Sequence, residues 1–122
     1  MKPEPALISA QMSPAGFLEA RPLPGSGRRG EVLASFLQSD VQGDLNTARA
    51  LLAEIAAAEA GAAPLPGGAG NAFTIRIAAD GAVIAGALSP DMPPEHYSLA
   101  ELRAALEAWS AAIARSRDGA GA

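Results

Sequence analysis

The residues whose types could do chemistry fall into two short segments. The first holds Asp91, Glu95, His96 and Tyr97, with Pro93 and Pro94 between the two carboxylates. A histidine beside a carboxylate could move a proton. That requires a nucleophile, a metal or a substrate group within hydrogen-bond reach, and no such partner is identifiable nearby in the sequence. Asp91 and Glu95 are four apart, a spacing that stacks side chains on a helix. The intervening prolines argue against a helix there. Paired carboxylates alone also fall well short of a cation ligand set.

The second segment is Gly25-Ser26-Gly27-Arg28-Arg29-Gly30. Glycine-rich backbone can cradle an anion, and arginines can neutralise it. No Gly-Lys-Ser/Thr follows, so this is not a Walker loop. The reading favoured is a solvated connecting loop.

Composition removes several function classes. The chain of 122 residues has no cysteine and a single histidine. Disulfides, thiol catalysis and cysteine-based metal sites are therefore excluded, and a histidine-rich site is not expected. No serine stands in G-x-S-x-G. The formal net charge of −4 argues against a nucleic-acid binder, which would carry a basic patch. No apolar run approaches the roughly 20 residues of a membrane span. Residues 1–5 lack a basic stretch leading into an apolar one, so no signal peptide is expected. The expectation is a cytoplasmic protein with no catalytic residues, cofactor, metal, nucleic-acid or membrane partner.

The elements that must position these residues follow from periodicity. Leu7 to Met12 and Phe17 to Leu23 flank Ser13-Pro14-Ala15-Gly16, the pattern of a hairpin. Pro24 to Gly30 reads as a loop. Glu31 to Leu37 suits either a helix face or a strand face. It is assigned to a third strand because Ser39 and Gln42 make a capping-box pattern just beyond it. Val41, Leu45, Ala48, Leu52 and Ile55 line one face of a helix, with Gly61 as its stop. Residues 61–71 read as a mobile loop.

Phe73, Ile75 and Ile77 alternate with Thr74 and Arg76, and Asp80-Gly81 predicts a turn into a return strand over 82–88. Ser89 to Tyr97 reads as a loop. Ser98 and Glu101 form a second capping box. Leu99, Leu102, Leu106, Trp109 and Ile113 then form the clearest helical stripe, which should fade after Ile113. The resulting expectation is one α+β domain over 1–122, with its core within about 7–115 and a frayed tail at 116–122. Its order is β-β-β-α-β-β-α, with an antiparallel sheet and two helices on one face. There is no internal repeat.

This layout resembles the YacL-like proteins, a small bacterial family. The resemblance spans about residues 8–115. It lies in the N-terminal hairpin, Glu31-Val32-Leu33-Ala34-Ser35-Phe36 running into the Val41–Ile55 helix, the hairpin at Asn71–Ile84, and the Tyr97-Ser98-Leu99 entry to a helix bearing Trp109. The chain departs from that family in its alanine-rich helices, its Pro/Gly loop at 62–70 and its shorter acidic segment. The C-terminal hairpin, Ser-Leu-x-Glu-Leu and tryptophan-bearing helix also resemble small immunity proteins that neutralise bacterial contact-delivered toxins. That resemblance implies a non-enzymatic binding protein with a toxin domain as partner. The alternatives are a housekeeping homodimer and, last, an enzyme using His96. The candidate partner-contact residues are Arg28, Arg29, Asp91, Glu95 and His96.

Overall fold

The computed structural model describes residues 6–62, 68–69, 72–87 and 91–120, with side chains throughout except at 68–69 and 117–120. Among them are three helices and two antiparallel sheets, one of two strands and one of four.

The N-terminal hairpin forms as its alternation predicts. Strand β1 (Ile8–Met12) pairs with β2 (Leu18–Pro22), from Ile8↔Pro22 to Met12↔Leu18. The tip is closed by Ser13 N donating to Phe17 O at 2.7 Å and Phe17 N donating to Ser13 Oγ at 3.1 Å. Ala20 is buried on the inner face while Glu19 and Arg21 pair on the outer one.

The assignment of Glu31–Leu37 to a third strand is overturned. Residues Gly27–Phe36 form helix α1, so the expected loop at 24–30 ends at Ser26. The reason is burial on more than one side. Val32, Leu33, Ala34, Phe36 and Leu37 are all buried, whereas a strand with one solvated face would bury alternate residues. The helix lies between β2 and the strand that precedes the last helix.

The Ser39–Gln42 capping box does not form either. The chain stays helical through a π-type turn at Leu37–Val41, closed by Gln42 N donating to Leu37 O at 2.7 Å. Ser39 Oγ donates backwards to Ser35 O at 2.7 Å instead. Helix α2 (Leu45–Glu59) begins after Asp44. The Asp44 carboxylate accepts from Asn46 N at 3.0 Å and Thr47 N at 3.4 Å, satisfying donors that have no partner within the helix. Gly61 ends α2 as expected, at φ +86°. Val41, Ala48 and Ile55 of the predicted stripe are buried, but Leu51 takes the place of Leu52, which is only half-buried, as is Leu45.

The second sheet runs β3 (Gly68–Ala69), β4 (Phe73–Ala78), β5 (Gly81–Gly86), β6 (Glu95–Tyr97), all antiparallel. Most of the 61–71 segment lies outside the described residues, as do 88–90. The expected loop at 89–97 is corrected at its end, because its last three residues pair with β5. Phe73 and Ile77 are buried and Arg76 is exposed as predicted, while Ile75 and Thr74, expected on opposite faces, are both half-buried. Asp40 ties the helical layer to this sheet, its carboxylate accepting from Ala72 N at 3.0 Å and Phe73 N at 3.1 Å. Gly81 is required where it stands, since a Cβ there would meet Tyr97 O at 2.8 Å.

Helix α3 (Leu99–Ala120) starts with the predicted capping box. Glu101 N donates to Ser98 Oγ at 3.0 Å, and Ser98 N to Glu101 Oε1 at 2.8 Å. It runs well past Ile113 rather than fading there. Leu102, Leu106, Trp109 and Ile113 are buried. They pack chiefly on α2 and the N-terminal hairpin rather than on the larger sheet. Trp109 Nε1 donates to Gln42 O at 2.7 Å. Gln42 has φ +56°, a region that costs a non-glycine residue about 1–3 kcal/mol. The indole bond satisfies the carbonyl that this conformation turns inward. The buried apolar residues of all these elements form one core cluster.

Candidate partner-contact surface

The two segments singled out by residue type are brought together. α1 begins at Gly27, so Arg28 and Arg29 lie in its first turn, and both reach β6. Arg28 Nε donates to Glu95 Oε1 at 2.6 Å and its Nη2 to Pro93 O at 3.4 Å. Arg29 makes the larger set of contacts. Its Nε and Nη2 donate to His96 O at 3.0 and 2.9 Å, and Nη2 also reaches Glu101 Oε1 at 2.5 Å. Its guanidinium carbon sits 5.2 Å from the centroid of the Tyr97 ring, within cation–π range. Tyr97 in turn donates its hydroxyl to Arg29 O at 2.7 Å. One arginine thus joins the start of α1, the edge of β6 and the capping box of α3.

The electrostatics agree with this geometry. Burial pushes the Glu101 carboxyl up, but the Arg29 hydrogen bond and the Ser98 backbone and hydroxyl outweigh it, and the net shift is downwards. The hydrogen bond to Glu101 holds the Arg29 guanidinium above its usual value despite some burial. Burial, reinforced by the Glu95 charge, raises the Tyr97 phenol well above its ordinary range. All three groups stay in their familiar charge states near neutral pH.

Of the five sequence-predicted contact residues, Arg28, Arg29 and Glu95 are therefore engaged within the molecule. Asp91 and the His96 side chain are exposed. His96 lies on the sheet face opposite the core, beside an open depression of about 380 Å³ that it lines with Arg76, Asp80, Val83 and Tyr97. Among the described residues, the side chains of His96, Arg76 and Asp80 form no hydrogen bond or ion pair with one another. A second open groove, of about 340 Å³, runs between α1 and β4 past Arg28, Val32 and Met92.

Sequence reasoning missed Phe17. It was counted as a strand residue, yet it stands at the hairpin tip and is 72% exposed, with Met12 close behind at 43%. Gly16, immediately before it, was the available signal: at φ +88° it turns the tip, which two Ser13–Phe17 bonds close with the Phe17 side chain exposed.

Gly25, Gly27 and Gly30 do have the spacing G-x-G-x-x-G, and the stretch leads from a strand into a helix. A dinucleotide loop belongs to a parallel βαβ unit, whereas every described strand pairing here is antiparallel. The glycines have local reasons. Gly25 and Gly27 sit at φ +84° and +62°, and a Cβ at Gly30 would lie 2.0 Å from Ser26 Oγ and 2.9 Å from Leu7 O.

Among the described residues no group of three or more potential ligands could hold a metal ion, and no helix is long and apolar enough to cross a membrane. Comparison with protein-family models, curated proteins and solved structures gives no match.

Proposed function

We propose that this chain is a non-enzymatic binding protein of the immunity type, which occludes a toxin domain by direct contact. The observation that carries this reading is the junction of α1, β6 and α3. It ties Arg28 and Arg29 of α1 to β6 and to the start of α3, while Asp80, Asp91 and the His96 side chain remain exposed around it. A surface fixed before binding loses little conformational freedom on association. The net charge of −4 favours a basic partner, and complementary charge raises association rate and selectivity. Phe17, exposed on a closed turn, supplies the large apolar side chain around which binding energy concentrates.

The test is affinity capture from the native host, identification of the partner by mass spectrometry, and titration of the purified pair. The reading expects a single stoichiometric partner whose activity is blocked. Asp91→Lys or Phe17→Ala should weaken the complex tenfold or more, at about 1.4 kcal/mol per decade, with unfolding midpoints unchanged. A turnover activity abolished by His96→Ala in a folded protein would refute it in favour of an enzyme.

A further inference from the structure

The hydrogen-bond pattern of the N-terminal hairpin fixes which backbone groups face outward. Leu23 N donates to Leu7 O at 2.9 Å, and Ser13 N to Phe17 O at 2.7 Å. Residues 7 and 13 are therefore in hydrogen-bonded pairs, and so are Ser9 and Gln11 between them. The N–H and C=O groups of Ile8, Ala10 and Met12 must then point away from β2. The pairing of Ile8 with Pro22 agrees, since proline has no N–H to give. No described residue bonds to those outward groups.

The edges at β2 and β6 are treated differently. On β2, Ala20 N donates to Gln38 Oε1 at 2.6 Å. On β6, His96 O accepts from Arg29. Proteins also blunt open edges with charge, proline or bulges. The sequence of β1, Ile-Ser-Ala-Gln-Met, contains none of these, and its pairing with β2 is unbroken.

We propose that β1 is a self-association edge. Two copies pair antiparallel through it about a two-fold axis at Ala10, giving a continuous four-stranded sheet with the two β1 strands at its centre. Antiparallel pairing of the outward groups requires even residues to meet even residues. Maximum overlap then sets Ala10 against Ala10, Ile8 against Met12, and Ser9 against Gln11. The smallest side chain of the strand thus lies at the axis. The half-exposed Met12 is covered by an isoleucine, and two uncharged polar residues face each other.

A second copy fits better than a foreign peptide because β1 offers no charge with which to select one. The acidity of the chain opposes self-association in general, but β1 carries none of it. The nearest charges, Glu19 and Arg21 on β2, neutralise each other at 2.8 Å. This inference is independent of the toxin-binding reading.

The test is sedimentation of the full chain over a concentration series. The wild type should show a monomer–dimer equilibrium. Ala10→Pro removes the outward N–H at the axis without touching the bonds to β2, a position where edge strands accept proline. It should weaken the dimer more than tenfold. Gln11→Lys or Ser9→Glu alone places two like charges diagonally across the axis, at about 7–8 Å, and should weaken it roughly threefold to tenfold. The two substitutions together set opposite charges directly across the axis and should restore dimerisation, whether or not Ala10→Pro folds. A wild-type chain that stays monomeric at every concentration would overturn the proposal. So would a dimer indifferent to all of these changes.

Discussion

At β6 the strand edge is closed, because the outward carbonyl of His96 is held by an arginine whose own charge is matched by Glu101. At β1, no described residue bonds to the outward groups of Ile8, Ala10 and Met12. Both strands are short and both border an antiparallel sheet, so the difference lies in what packs beside them. α1 presents Arg29 to β6, whereas β1 packs chiefly against the apolar face of α3, which brings no described side chain to the outward groups of the strand. A charged pair that reads in sequence as a free contact site thus serves to close an edge. The edge left open belongs to a strand with no chemically suggestive residue at all.

Substitutions sharpen that contrast. The largest effect should come from Trp109→Ala. The side chain is 1% exposed, so truncation combines lost transfer energy with a cavity and should cost about 3–5 kcal/mol. A denaturant titration measures it, and an unchanged midpoint would mean that the helix face is an interface rather than core.

Next is Arg29→Ala, which unseals β6 and frees the α3 cap together. Hydrogen bonds to charged groups are worth about 1.5–3 kcal/mol. The partial exposure of this pair lowers the expectation to about 1–2 kcal/mol. The same pair has a pH signature. The Glu101 pKa is lower in the folded protein, so its contribution is present above the ordinary glutamate pKa and is lost as pH falls below that through the depressed folded value. Glu101→Gln should flatten the acid limb of a stability–pH curve.

Ser98→Ala removes one cap acceptor and should cost about 1 kcal/mol. The smallest effect is expected for His96→Ala. The contacts of that residue to Arg29 are made by its carbonyl and the imidazole is exposed, so the change should stay within about 0.5 kcal/mol in the same titration.

How much of this was legible in the sequence depends on whether local signals competed. Ser98 and Glu101 had an apolar stripe directly after them and no rival start, and α3 starts where its pattern predicts, though it runs on past Ile113. Ser39 and Gln42 made the same kind of signal, but Asp44 offered a second cap before Leu45. Buried residues at 32–37 let the chain remain helical across the first signal. A segment packed on several sides loses the periodicity that separates helix from strand, which is why Glu31–Leu37 was misassigned. β6 was hidden for a different reason: three residues behind two prolines carry no alternation of their own, and only pairing with β5 makes them a strand. In the candidate surface, residue type singled out Arg28, Arg29, Glu95 and His96 in two separate segments, and nothing in either segment shows that the two meet. Residue type could not show that the arginines would bond to β6 and the start of α3, since those contacts lie more than 60 positions away, 67 for Arg28 to Glu95.

The open edge is tested most directly by amide hydrogen exchange of the wild-type chain, followed residue by residue at low and high protein concentration. The account predicts that the Ala10 amide exchanges quickly in dilute solution, where the Ser9 and Gln11 amides are protected by β2. It should become protected as concentration rises. Protection of Ala10 in dilute solution would show that the edge is already covered within one chain. Rapid exchange at every concentration would show that no second copy pairs there.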